Sequence, residues 1–414
     1  MSKKIKVTDD VLDQQLDLLP KEVKFCKTCV VSNQRPRILW DQTKEGQCSA
    51  CDYAYEKDNT IDWEKREKLL QKVCDEHRSK DGSFDVIVPG SGGKDSGMVT
   101  HKLKHKYGMH PLTVTWAPFL YTDIGWKNFL AMKDHGYDNI LIHPNGQLHR
   151  KLALLAFDLH GDAWDPFGYG QQSLAYHMSV KYNVPLIFMG ENGEVEYGGS
   201  LAHKDTFEPA IKDWSEHFYK GSSVDNLLQA GLKRNIFTAD EIKSSSFDLY
   251  TPPPVEDLKR VGTEMHWMSF YERWTPQWNY YYAAEHTGFE AAPDRQEGTY
   301  QKYGSIDDRL DGFHWWMAGM KFGICRATYD ASHEIRDGHI TREEAVALVH
   351  KYDHEFPIRY WKEFLDYLDI TEKEFWYIAD KYRRDLVWER TKSKFSGYSP
   401  EAQYKLWKLK EQVE

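Results

Sequence analysis

The chain has 414 residues, 41% of them apolar and 14% aromatic, and carries a formal net charge of −10 at pH 7. That composition excludes a largely disordered chain and provides enough apolar surface for two or three packed domains. The acidic balance disfavours nucleic acid as the main partner, and neither a bilayer-spanning run nor an apolar targeting stretch in residues 1–10 is visible, so a cytoplasmic location without a membrane partner is expected.

Residues 1–60 read as a small metal module. Cys26-Lys-Thr-Cys29 and Cys48-Ser-Ala-Cys51 are two C-x2-C pairs with 18 residues between them. The spacing suits a four-thiolate zinc site with no coordination position left for water, hence a structural ion. An iron–sulfur cluster and a redox dithiol are the other readings of the same cysteines.

A helical stretch from Ile61 leads into a second unit, residues 61–200. The apolar run Val86-Ile87-Val88 predicts a buried strand that ends at Pro89-Gly90, and a helix is expected over Met98 to Tyr107. Between them lies Ser91-Gly92-Gly93-Lys94-Asp95-Ser96. Glycines bring backbone N–H groups close to an anion, a helix N-terminus adds unpaired donors, and Ser91, Ser96 and Lys94 add hydroxyls and a positive charge. Asp95 would repel a phosphate unless a cation sat between them, which suggests bridging Mg2+. Further strands are expected over 111–117, 139–143 and 184–189, with helices over 126–135, 148–160 and 171–182. This alternation predicts a parallel α/β sheet covered on both faces, with ligands at the carboxyl ends of its strands.

The last of these strands runs into Gly190-Glu191-Asn192-Gly193-Glu194-Val195-Glu196. Gly190, Glu191 and Asn192 are expected beside the phosphate loop as nucleotide or substrate contacts, with Glu194 or Glu196 holding a metal or a substrate group. Residues 201–330, rich in aromatics, read as a substrate cap that returns to the site through the cluster Asp307–His314 and the basic residues Lys321 and Arg326. Gly323-Ile-Cys325-Arg-Ala327 faintly matches a nucleophile elbow, but no strand precedes it. Residues 331–414 read as helical, with capping boxes at Thr341-Arg-Glu-Glu344 and Thr371-Glu-Lys-Glu374.

The phosphate loop matches neither G-x-x-x-x-G-K-[ST] nor G-x-G-x-x-G. It resembles the S-G-G-x-D-S loop of the PP-loop, or N-type, ATP pyrophosphatases. That resemblance implies their Rossmann-like fold and cleavage of ATP between the α- and β-phosphates, with Ser91, Gly92, Gly93, Lys94, Asp95 and Ser96 on the nucleotide. Taken with the cysteine pairs, Gly190-Glu-Asn-Gly193, Lys321-Phe-Gly-Ile-Cys-Arg326 and the stretch Glu334–Glu344, the chain is similar to the N-acetyl sugar amidotransferases of bacterial surface-polysaccharide and flagellar-glycan pathways. The family implies work in lipopolysaccharide, O-antigen or pseudaminic acid pathways: an acetamido oxygen is adenylated, then replaced by ammonia to give an acetamidino group. Lys94, Asp95, Ser96, Lys321 and Arg326 would be the catalytic set, with ATP, Mg2+ and Zn2+ as cofactors. No glutaminase is recognisable in the chain, so a separate glutaminase subunit is expected to supply ammonia. A PP-loop tRNA sulfur-inserting enzyme and a non-catalytic nucleotide-binding scaffold are the alternatives.

Overall fold

A computed structural model describes residues 6–206, 223–393, 395 and 397–414. Part of the expected cap, 207–222, and two positions of the tail lie outside the described residues. In chain order the elements begin with α1 (Ser49–Asn59) and α2 (Trp63–His77). Next come β1 (Val86–Pro89), α3 (Lys94–His105), β2 (Pro111–Trp116), α4 (Asp123–Asp134) and β3 (Asp138–Ile142). The core is completed by α5 (Gly146–His160), α6 (Asp165–Tyr182), β4 (Leu186–Met189) and the short α7 (Gly193–Glu196). Beyond it lie β5 (Glu264–Trp267), α8 (Pro276–His286), α9 (Asp311–Phe322), α10 (Arg326–Arg336), α11 (Arg342–Tyr352), α12 (Trp361–Leu368) and α13 (Glu372–Tyr382).

The sheet is parallel throughout, in the order β3-β2-β1-β4-β5. Its central strand shows why the fold is two-sided. Val86 and Val88 pack with Met98 and Leu103 of α3 and Leu70 of α2, whereas Ile87 packs on the opposite face with Leu152 and Leu155 of α5 and Leu174 of α6. Alternate residues of a strand point to opposite faces, and both faces here are covered. The chain runs outward from β1 through β2 to β3, then returns to the other side of β1 with β4. The loops after β1 and β4 therefore flank the point where the strand order reverses, the place where open α/β sheets bind ligands.

Two differences from the sequence reading matter for the site. Helix α3 starts at Lys94, not Met98, because Gly93 is the N-cap (φ −72°, ψ 163°) and Ser96 Oγ donates to the Gly93 carbonyl. Lys94, Asp95 and Ser96 are thus the first helical turn, rigid rather than looped. The segment read as cap also supplies the edge strand β5, which pairs with β4 from Leu186↔Glu264 to Met189↔Trp267.

The C-terminal helices form their own apolar cluster. Phe313, Trp316 and Met320 of α9 meet Phe364 of α12 and Phe375 of α13, and Leu154 and Phe157 of α5 join the same core. Both predicted capping boxes are formed, at Thr341/Glu344 and Thr371/Glu374. No helix among the described residues is long and apolar enough to cross a membrane.

Candidate active site

A cavity of about 630 Å3 opens at the reversal point, lined on the sheet side by residues 89–96 and 114–116 and on the other by Tyr303 to Asp311 and by Arg326, Tyr329 and Asp330. The phosphate loop is shaped by its glycines where space requires them. Gly92 has φ +85°, and a Cβ there would lie 2.6 Å from the backbone of Asn128 in α4. A side chain at Gly90 would collide with Ser96 Cβ at 2.6 Å. Together these contacts press the loop against α4 and the first turn of α3.

Asp95 Oδ1 accepts from Asn279 Nδ2 of α8 at 3.0 Å, and its Oδ2 pairs with Lys94 Nζ. A carboxylate in a first helical turn is favoured by the helix dipole, yet it competes with a phosphate for the same field. A cation satisfies both, so Asp95 is suited to hold a cation beside a bound anion. Glu191, after β4, faces the same cavity. Burial and then the charge of Asp95 push its carboxyl up to about 7. Across the cavity, Arg326 is fixed by Asp330 (3.1 and 3.2 Å) and Ser305 Oγ (2.7 Å), with its guanidinium 4.6 Å from the Trp315 ring.

Ser91, Gly92, Gly93, Lys94, Asp95, Ser96, Gly190, Glu191 and Arg326 thus all line one cavity. Two expected members do not. Lys321 is buried and turned away: its Nζ lies 2.5 Å from Asp13 Oδ2 and donates to the His160 carbonyl at 2.9 Å. Helix α9 ends just beyond it at Gly323 (φ +71°), which reverses the chain so that Arg326, not Lys321, reaches the cavity. Asn192 is buried behind its loop, where its backbone N–H donates to Ser269 Oγ at 2.9 Å.

The two glutamates of the second loop also separate. Glu194 lines the cavity but is engaged by Arg37 (3.0 Å) and lies 3.7 Å from Arg35. Glu196 leaves it for a buried network: Lys57 Nζ of α1 pairs with it at 2.7 Å, and His333 Nε2 of α10 lies 3.6 Å away. The other nitrogen of His333 contacts Asp337 at 3.0 Å. Burial raises the Glu196 carboxyl, but Lys57 and His333 together outweigh it and hold the group low. Burial likewise opposes the His333 charge, and its contacts with Asp337 and Glu196 outweigh that, raising the imidazole. Cys325 lies outside the cavity, buried 3.2 Å from His354 Nδ1, with burial pushing the thiol well up. An activated nucleophile would show the opposite shift.

Cys26, Cys29, Cys48 and Cys51 are brought together with all four sulfurs within 4.8 Å of one another. Cys26–Cys51 and Cys29–Cys48 are 3.9 and 3.6 Å apart, far beyond a disulfide bond. Backbone N–H groups of Thr28, Cys29 and Cys48 each donate to Cys26 Sγ at 3.4 Å, an arrangement that favours thiolate. The four residues fit a metal centre. Arg342 of α11 donates to the Cys29 and Cys26 carbonyls at 3.2 and 3.3 Å, joining the module to the C-terminal helices. Arg35 and Arg37 project from this module into the cavity, a contribution signalled in sequence only by Arg35-Pro-Arg37.

Residues 297–402 match the family model described as "LPS biosynthesis protein WbpG-like, C-terminal domain". The C-terminal region of this chain is WbpG-like. The WbpG-like region includes Tyr303, Asp307, Asp311, His314 and Arg326, so it forms the cavity wall opposite the phosphate loop. The wall that faces it is the carboxyl end of the parallel sheet, with Ser91–Ser96 following the central strand β1. No curated protein matches the chain. Solved structures similar to it include an NH3-dependent NAD synthetase from Campylobacter jejuni in complex with the nitrate ion (17% identity, 49% of this chain and 94% of that one, TM-score 0.26). Others are an NMN synthetase from Francisella tularensis (12%, 49% and 92%, TM-score 0.25) and the U34-tRNA thiolase NcsA from Methanococcus maripaludis with its [4Fe-4S] cluster (11%, 76% and 86%, TM-score 0.28).

Proposed function

We propose that the protein is an ATP-dependent, AMP-forming amidotransferase that converts an acetamido group of an N-acetylated sugar into an acetamidino group in bacterial surface-glycan synthesis. The observation that carries this reading is the shared cavity: the WbpG-like region faces a loop suited to gripping the pyrophosphate part of ATP. An amide oxygen is a poor leaving group, so exchanging it for nitrogen requires activation, and adenylation supplies it. The acetamido oxygen attacks the α-phosphorus, the bond to the β-phosphate oxygen breaks, and pyrophosphate is held by the loop N–H groups, Ser91, Lys94 and Ser96. Mg2+ at Asp95 would neutralise the charge that gathers on the leaving group. Ammonia then displaces AMP from the activated carbon.

The cysteine centre is read as structural zinc. Zn–S bonds of about 2.3 Å in a tetrahedron set sulfurs about 3.8 Å apart, a value bracketed by the 3.6 and 3.9 Å separations here. In an iron–sulfur cluster the thiolates sit on different irons and stand farther apart. A separate glutaminase is the proposed source of ammonia.

Pyrophosphate release measured with acetamido sugars plus ammonium, against tRNA plus a sulfur donor, tests the reading. Sugar-dependent release with amidine formation supports it. Release with tRNA alone, or no release with either, overturns it. Glutamine-driven turnover by the chain on its own would remove the need for the glutaminase subunit.

A further inference from the structure

Ammonia attack leaves a proton to be removed, and neither the phosphate loop nor Arg326 can take it. Once the new C–N bond forms, the added nitrogen carries a positive charge and can leave again as neutral ammonia, in competition with AMP. Loss of a proton from that nitrogen closes the return path and commits the adduct to product.

A histidine suited to this task lies in the cavity. His314 sits in the first turn of α9, and its Nδ1 is 2.7 Å from Asp162 Oδ2. Asp162 precedes α6, and its other oxygen accepts the Trp164 N–H at 3.0 Å, so the carboxylate is itself held in place. Both side chains are mostly buried, 19% exposed for His314 and 10% for Asp162, yet His314 lines the cavity. With a carboxylate at Nδ1, that nitrogen must be the donor, which leaves the Nε2 lone pair as the acceptor. No protein group among the described residues bonds to Nε2. Among the described residues, Asp162 contacts the ring, Asp311 lies one turn back on the same helix with Arg326 of α10 beyond it, and Lys321 is electrostatically coupled to Asp162. This is the base–orienter arrangement expected of proton-transfer sites.

We infer that His314 is the general base of the nitrogen-transfer step and that Asp162 is its positioning residue. The inference rests on the amidotransferase reading and adds a residue role to it. Ammonia attacks the carbon of the O-adenylyl imidate, whose nitrogen still carries the acetamido proton and a positive charge, and the C=N electron pair moves onto that nitrogen and leaves it neutral. His314 Nε2 takes one proton from the added nitrogen. The C–O bond then breaks, its electron pair leaving on the oxygen of AMP, and the product is the amidine, which carries a proton at neutral pH. Imidazolium returns its proton to solvent.

The test separates the two chemical steps. In full-length protein with Mg-ATP, an acetamido sugar and ammonium, His314→Gln is expected to keep sugar-dependent ATP–pyrophosphate exchange close to that of the unsubstituted protein. Amidine formation should fall about 10²–10⁴-fold, the usual contribution of a general base. Hydroxylamine, whose adduct loses its proton readily to water, should restore much of the rate. Asp162→Asn should fall in the same step with a smaller loss, which guards against misfolding of one variant. Equal loss of exchange and transfer, or no loss of transfer, overturns the role of His314 while leaving the amidotransferase reading standing. Absence of sugar-dependent exchange in the unsubstituted protein overturns that reading and this role together.

Discussion

The two walls of the cavity are built by different physics. The sheet wall comes from consecutive residues at one strand end, positioned by main-chain hydrogen bonds and by Gly92, which presses against Asn128. The opposite wall is gathered from the cysteine module, the second loop, α9 and α10, and side chains join its parts, chiefly the Lys57–Glu196–His333–Asp337 network and the arginines on Glu194. The first wall is rigid at the level of the backbone. The second is only as firm as its buried charges, so substitutions and pH should reach it first.

The largest effect should follow from stranding one of those charges. Lys57→Met leaves Glu196 in the interior with only the longer His333 contact at 3.6 Å and is expected to lower unfolding stability by about 3–5 kcal/mol in urea titration. Adding Glu196→Gln should recover much of it, and if the single variant is as stable as the parent, the contrast between the walls fails. On the sheet wall, Asp95→Ala or Ser96→Ala should cut ATP cleavage by ~10²–10³, about 3 kcal/mol of barrier, with the unfolding midpoint nearly unchanged. Near-normal turnover in either would remove that wall from the chemistry.

Acidity should separate the walls more gently. The His333 imidazole is raised in the folded protein, so its contribution is fully present below its ordinary value of about 6.5 and is lost as pH rises through the raised one. Glu196 and Asp337 are held low, and their contribution is lost as pH falls from the ordinary carboxylate range, about 4, through the lowered values. Unfolding midpoints should therefore sag on both sides of neutrality, and His333→Gln should flatten the alkaline limb. The smallest effect is expected at Thr341, whose hydroxyl caps α11 through the Glu344 N–H at 3.2 Å. Thr341→Ala should cost about 1 kcal/mol with no change in turnover.

The same division decides what could be read without coordinates. The phosphate loop and the cysteine pairs are local patterns, and the strand–loop–helix order around Ser91–Ser96 already implied the sheet. Strand β5 escaped because Glu264–Trp267 is only four residues long, too short for its Glu-Met-His-Trp alternation to stand out. Lys321 and Arg326 looked equivalent in sequence, but Gly323 between them turns one into a buried ion pair and the other into the cavity. Asp162 and His314 are 152 residues apart, and nothing local to either announces the other.

The Arg342 clasp on the cysteine module has a consequence for the order of events during synthesis. Arg342 lies 313 residues after Cys29. At ~5–20 residues per second, translation separates the two by roughly 15–60 s. For most of that interval the four thiols have been made without the helix they finally rest on, so they must capture their metal, or be kept reduced, before it arrives. The far wall of the cavity then closes late, after α11 has been made, and a ribosome that stalls before α11 would leave a folded sheet with half a site.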